Sequence, residues 1–213
     1  MNYSDDEQVE ALRAWWRENG RPIIAGVVIA VVALVGWQQW DAYKRERAEQ
    51  ASAEYQVFRE QILAKPPAEG AVTRGAEILQ QYGNTPYGPL TALLLAQYHV
   101  DKGELDQAAE QLRWVVKEAG GEPVGALAKL RLARVLSAQQ KYDEALAALE
   151  SAPQPLASEY QEVRGDVLAA AGRHDAAVAA YRAALNDQEL IPQRRTLIEL
   201  KLNDLGVSAE PAA

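Results

Sequence analysis

The side chains best suited to chemistry are few and have no obvious partners. The 213-residue chain has no cysteine and only two histidines, His99 and His174. This composition excludes disulfides, thiol catalysis and zinc–thiolate sites, and it cannot supply a histidine-rich metal centre. Glu159, Glu162 and Asp166 form an acidic strip at helical spacing, but a general acid/base pair needs a further group that the sequence does not identify. We interpret the histidines as structural or solvated and the strip as a solvated or groove-lining face.

Phosphate-binding and nucleophile motifs are also missing. Gly70 and Gly75 have the spacing of a phosphate loop, but Ala76 and Glu77 stand where lysine and serine or threonine would be needed. The formal net charge of −8 argues against nucleic acid as the main partner, because phosphate neutralisation needs a basic surface. The sequence therefore predicts a protein that is not an enzyme and has no catalytic residues, cofactor, metal site or small-molecule substrate.

An uncharged stretch from Pro22 to Trp40, rich in Ile, Val and Leu, predicts a transmembrane helix. About 20 apolar residues cross a bilayer, and Trp16 and Trp37 would lie near its two interfaces. A buried soluble helix and a cleaved signal peptide are the alternatives. No polar face interrupts the stretch, which argues against a buried soluble helix. No small-residue cleavage site follows it, which argues against a signal peptide, so we favour an uncleaved anchor in the membrane.

Two further features surround this anchor. Basic residues flank it on both sides, so the positive-inside rule leaves its orientation open. The preceding tail predicts a short amphipathic helix capped by Ser4.

Within the anchor, Gly26, Ala30 and Ala33 share one helical face, where small residues would let another membrane helix approach closely. We predict this face as a membrane helix contact.

The rest of the chain repeats itself. Three stretches beginning at Leu95, Leu132 and Arg164 align, and each has a small residue, then an aspartate and an alanine, then a large residue. These are Ala96, Asp106, Ala108 and Leu112; Ala133, Asp143, Ala145 and Leu149; and Gly165, Asp175, Ala177 and Tyr181. The pattern resembles the tetratricopeptide repeat, in which small residues let two helices of a hairpin cross closely. Gly103 and Gly172 fall in the turns, where the middle copy has Gln140.

These patterns together predict an all-α fold. An N-terminal transmembrane helix is followed by an α-solenoid of tetratricopeptide-like helical hairpins, and an amphipathic capping helix closes the stack between Ile191 and Leu205. The predicted segments are a cytoplasmic tail (1–21), the transmembrane helix (22–40), a membrane-proximal helix (41–67), the repeat domain (68–205) and a disordered tail (206–213).

The resemblance to tetratricopeptide repeats also implies a protein-binding groove lined by the first helix of each hairpin. Carried over to this chain, its lining residues are Leu90, Leu93, Gln97 and Val100, then Leu127, Leu130, Arg134 and Ser137, then Glu159, Glu162 and Asp166. Such a groove would be apolar at one end and acidic at the other. The leucines of this set fit core positions equally well.

The tail motif Y-S-D-D-E-Q-V-E-A-L-R-A-W-W-R-E-N-G, the anchor, the repeats and the terminal L-K-L-N-D-L together resemble the YfgM family of bacterial inner-membrane proteins. The resemblance implies an ancillary subunit of the SecYEG translocon that associates with the periplasmic chaperone PpiD and helps to pass nascent secreted polypeptides to chaperones. It also implies a single-pass topology with a cytoplasmic N-terminus and a periplasmic repeat domain. Two alternatives stay open: a scaffold for another cell-envelope assembly, and an accessory protein that presents substrate to a hydrolase.

Overall fold

The computed structural model describes residues 5–207 of the chain, and every regular element in that range is helical. The α-helices are α1 (Asp5–Leu63), α2 (Ala71–Tyr82), α3 (Tyr87–Asp101), α4 (Leu105–Ala119), α5 (Pro123–Ala138), α6 (Tyr142–Ala148), α7 (Ala157–Ala170), α8 (His174–Leu185) and α9 (Pro192–Asp204). A short 3-10 helix, Gln154–Leu156, precedes α7. The all-α fold class predicted from the sequence is confirmed.

The first helix, α1, is a single element of 59 residues that contains Pro22. The sequence predicts a separate amphipathic helix before the anchor, whereas the structure joins the two without a break; the predicted cap, Ser4, lies outside the described residues. Within the described part of the chain, α1 is the one helix long and apolar enough to cross a membrane, and its apolar stretch is exposed. The chain divides into two compact units, with the boundary between Glu49 and Gln50.

Three helical hairpins follow from the repeated small and large residues. They are α3–α4, α5–α6 and α7–α8. The small residues at the helix crossings are buried, and so are the large residues that follow them: Ala96, Ala108 and Leu112; Ala133, Ala145 and Leu149; Gly165, Ala177 and Tyr181. Short side chains bring the helix axes together, and the large side chain fills the space beside the crossing. The predicted hairpin stack is therefore confirmed.

The turns inside the hairpins use a left-handed residue. Gly103 and Gly172 have φ angles of 74° and 72°, a conformation that glycine adopts without steric cost. In the middle copy Gln140 takes the same conformation, with φ of 61°, although it carries a Cβ atom. The turn geometry is thus kept in all three hairpins, including the one that lacks the glycine.

Neighbouring hairpins are also joined by polar contacts. Asp106 accepts a hydrogen bond from Gln139 Nε2 at 2.9 Å, and Asp143 accepts one from Arg173 at 2.8 Å. Each aspartate lies in the first turn of the second helix of one hairpin and reaches the turn of the next hairpin. Deeper in the stack, the hydroxyl of the buried Tyr160 in α7 donates to the carbonyl of Ala126 in α5 at 3.0 Å. These contacts fix the register between hairpins.

The stack ends at α9, close to the predicted capping helix. Ile198 and Leu202 have no exposed surface and belong to an apolar cluster with the α8 residues Ala177 and Tyr181. Gly206, with φ of 75°, and the Val207 N–H, which donates to the Leu202 carbonyl, terminate the helix. Of the tail predicted to be disordered from residue 206, these two residues form the cap, and residues 208–213 lie outside the described residues.

Candidate binding groove

The first helices of the three hairpins, α3, α5 and α7, carry all the residues predicted for the groove. Leu90 and Leu127, at equivalent positions of α3 and α5, are 38% and 37% exposed. Gln97 and Arg134 are also exposed, each about two turns further along its helix. These four side chains are accessible to a binding partner, and they remain the predicted groove residues.

Two leucines of the predicted groove belong to the core instead. Leu93 is 6% exposed and Leu130 is 4% exposed, and both lie in the apolar cluster that holds the first two hairpins together. Because a helix of this stack buries more than one face, the same spacing serves core and groove positions. A substitution at Leu93 or Leu130 is therefore expected to change folding before it changes binding.

The acidic strip on α7 faces the chain's own C-terminal helix. Glu162 is buried and accepts hydrogen bonds from Arg194 Nε at 2.7 Å and from Lys201 Nζ at 2.8 Å. Arg194 also pairs with Glu159, and Lys201 donates to Asp166 at 2.9 Å. Two cations of α9 thus match three carboxylates of α7, so α9 fills the end of the groove that was predicted to be acidic.

Sequence reasoning identified α9 by its apolar pattern but missed these ion pairs. The sequence does contain a matching pattern. Arg194 and Lys201 lie seven residues apart on α9, and the carboxylates of α7 extend over the same two helical turns.

The electrostatics around Glu162 favour its ionised form. Burial alone would raise the pKa of Glu162, but the hydrogen bonds and positive charges of Lys201 and Arg194 outweigh it and hold that pKa below its usual range. Burial and a hydrogen bond to Asp166, 2.8 Å long, raise the pKa of the Tyr181 phenol. Near neutral pH, Glu162 is therefore charged and Tyr181 neutral, an arrangement that holds helices together.

The Glu162→Gln variant is expected to lower stability at neutral pH, with a difference from the unmodified chain that shrinks on acidification. The lowered pKa means that the carboxylate stabilises the fold above its unfolded-state pKa of about 4.3, and that this contribution is lost as the pH falls through the folded-state value. The measurement is the thermal midpoint of the full-length chain in mild detergent, taken from neutral pH down through the folded-state pKa of Glu162. Glu150→Gln, at an exposed carboxylate, is the matched control and should differ little at every pH. A Glu162→Gln difference that stays constant with pH would contradict this reading.

A hollow of about 370 Å³ lies between α3 and α5, beside the accessible groove residues. Its lining residues include Arg131 and Arg134 together with Gln97 and Val100. Arg131 was not among the predicted groove residues, because it is not one of the helix positions that the resemblance assigns to the groove. The hollow has the mixed apolar and polar lining that binding sites share.

The two histidines have ordinary surroundings. His99 Nδ1 lies 2.7 Å from Glu104 Oε2, beside the turn between α3 and α4, and His174 is an exposed residue at the start of α8. Residues 5–207 contain no group of three or more His, Cys, Asp or Glu side chains arranged to hold a metal ion.

The predicted membrane helix contact lies on α1. Gly26, Ala30 and Ala33 are exposed on one face of this helix, and a Cβ atom added at Gly26 would meet nothing within 4 Å. The face is open to a neighbouring helix, and its role stays a prediction.

Comparisons with known proteins agree with this architecture. A family model described as a tetratricopeptide repeat-like domain matches residues 13–207. The protein named ancillary SecYEG translocon subunit from Escherichia coli (strain K12) is 31% identical over 205 residues, covering 96% of this chain and 98% of that protein. Its namesake from Neisseria gonorrhoeae is 26% identical, covering 94% and 97%. Among solved structures, MamA from Desulfovibrio magneticus RS-1 matches 72% of this chain and 88% of its own with a TM-score of 0.51 and 19% identity, which supports the fold alone.

Proposed function

Since the chain belongs to the tetratricopeptide repeat-like family of ancillary SecYEG translocon subunits, we propose that it is a membrane-tethered protein-interaction adaptor at that translocon. In this role it lies in the bacterial inner membrane, with a cytoplasmic N-terminus and a periplasmic repeat unit. It links translocated polypeptides to periplasmic chaperones, and PpiD is the chaperone partner that the family resemblance implies. The adaptor works by binding alone, with no covalent step.

One observation carries this proposal: a single chain combines an exposed apolar helix with a stack of helical hairpins. Large side chains such as Ile29, Val32 and Leu34 are more than half exposed along α1. Leaving them in water would cost about 25 cal/mol for each Å² of apolar surface, so a bilayer is their natural surrounding. Because the match to the Escherichia coli translocon subunit spans nearly the full length of both chains, it supports the combination and not merely the repeats.

Tethering gives a physical reason for the adaptor design. A domain restricted to the membrane plane meets its partners at a high effective concentration, so a weak contact becomes sufficient. The accessible groove side chains Leu90, Gln97, Leu127 and Arg134 offer such a contact, with a modest apolar area and few fixed charges.

The anchor provides the test of translocon association. We expect the full-length chain to co-purify with SecYEG from mild detergent. The triple variant Gly26→Leu/Ala30→Leu/Ala33→Leu should lower the amount of recovered translocon by about fivefold or more, since close helix packing in membranes needs small residues. The matched control is the triple variant Val28→Leu/Val31→Leu/Val35→Leu on the opposite face of the helix, which should leave recovery of the translocon nearly unchanged.

Each outcome has a distinct meaning. If SecYEG fails to co-purify with the unmodified chain, or if a reporter at the C-terminus is found in the cytosol, the proposed function is wrong. If recovery is intact but both leucine variants behave alike, only the contact face on α1 is wrong.

A further inference from the structure

Arg131 and Arg134, which have no ion-pair partner within residues 5–207, share the hollow between α3 and α5. Arg131 and Arg134 lie one helical turn apart on α5 and line the same space. The other lining residues are Ala96, Gln97, Val100, Leu112 and Val135. The hollow therefore combines a largely apolar lining with two arginines.

Several cations elsewhere in the hairpin stack pair with anions. Arg113 pairs with Glu144 and Arg173 with Asp143, while Arg194 and Lys201 take up the acidic strip. Within residues 5–207, no carboxylate lies within ion-pair distance of Arg131 or Arg134. Their guanidinium groups are therefore available to an anion from another molecule.

The chain itself contains an example of how such a helix can be bound. Against α7, helix α9 presents Arg194 and Lys201 to carboxylates on the facing helix, and Ile198 and Leu202 bury their side chains alongside. Recognition there combines charges spaced by helical turns with apolar side chains from the same helix. On α5 the sign is reversed, because the surface carries the positive groups.

We propose that this hollow binds an acidic amphipathic helix of a partner protein. Two carboxylates one turn apart on that helix pair with Arg131 and Arg134, and an apolar side chain enters the hollow beside Val100 and Val135. Positions three or four apart on a helix have Cβ atoms about 5–6 Å apart, so the carboxylates of such a helix match the spacing of the two arginines. The planar guanidinium group is suited to a carboxylate, with which it forms two parallel hydrogen bonds. This inference rests on the proposed adaptor function and specifies its partner.

Peptide binding to the full-length chain tests the proposal. The chain is placed in nanodiscs of phosphatidylcholine, and the probe is a labelled peptide of about 15 residues made of Ala, Leu and two Glu one turn apart, with both ends blocked. We expect the Arg131→Gln/Arg134→Gln variant to bind it about tenfold more weakly or worse, since two charge-assisted hydrogen-bonded contacts are lost. Binding by the unmodified chain should also weaken as salt is raised.

Matched controls separate this site from a general charge effect. Arg164→Gln/Arg182→Gln removes two positive charges from α7 and α8, outside the hollow, and should leave the peptide affinity within about twofold. A peptide with Gln in place of both Glu should bind weakly to every variant. Circular dichroism and the thermal midpoint should be the same for all variants, which shows that folding is intact.

Three results would overturn the proposal. The Glu and Gln peptides could bind equally, the two double variants could weaken binding equally, or a peptide with a free C-terminal carboxylate and no Glu could be the one that depends on the arginines. Co-purification of SecYEG reports on the proposed function separately. If SecYEG still co-purifies while any of these results is found, the acidic helix is ruled out as the partner and the proposed adaptor function is unaffected.

Discussion

Replacing Gly165 with alanine is expected to destabilise the hairpin stack by about 2 kcal/mol, although alanine normally favours a helix over glycine. A Cβ atom at this position of α7 would lie closer than 3.0 Å to three ring atoms of Tyr181 on α8. The ring cannot simply move away, because Tyr181 is buried and its hydroxyl donates to Asp166. The helices must separate or the ring must leave its rotamer, and either change loses packing. Thermal unfolding of the full-length chain in mild detergent measures the loss.

A matched control and a rescue variant make this prediction specific. A Cβ atom at Gly121 would meet nothing within 4 Å, so Gly121→Ala should change stability by no more than about 0.5 kcal/mol. In a Tyr181→Leu background the ring is gone, and Gly165→Ala should then cost little, as a double-mutant cycle would reveal. If Gly165→Ala costs the same in both backgrounds, the close approach of α7 and α8 is not the cause.

Removing the apolar face of α9 should have the largest effect of any substitution described. The double variant Ile198→Ala/Leu202→Ala deletes two fully buried side chains, each worth about 2–5 kcal/mol in a protein core. With that packing lost, α9 should separate from the last hairpin and leave Glu162 without its two cations. The expected result is melting of α7–α9 well below the transition of the first hairpins. Hydrogen exchange resolved along the chain would detect it.

The same helix supplies the control. Leu197 and Leu200 are 46% and 55% exposed, so Leu197→Ala/Leu200→Ala removes a similar amount of side chain from the outer face of α9. Its cost should be below about 1 kcal/mol, and protection of α7 and α8 should be unchanged. Equal effects of the two double variants would mean that α9 does not cap the stack.

The hairpins could be predicted from sequence because their packing constraints fall on residues close together in the chain. A small residue such as Ala133 must pack near another small residue, Ala145, on the next helix of the same hairpin, and that requirement recurs in each copy. The positions of the helices therefore followed from a spacing rule that needs no knowledge of distant contacts.

The candidate groove was harder to predict for the opposite reason. Glu162 and Arg194 meet across 32 residues, and the spacing of charges within each helix does not by itself say which helices face each other. Leu93 and Leu90 share a residue type, yet one is buried and the other exposed, because neighbouring helices cover only part of each surface. Pro22 suggests a helix end by local preference, but α1 continues through it.

The ion pairs between α7 and α9 also constrain how this array could evolve in length. A duplicated hairpin inserted between Leu185 and Pro192 would set a new helix against Glu159, Glu162 and Asp166 in place of α9. Unless the duplicate carried two cations seven residues apart, it would leave a buried carboxylate uncompensated, at a cost of about 3–5 kcal/mol. An added hairpin at this end of the molecule is therefore opposed by charge as well as by shape.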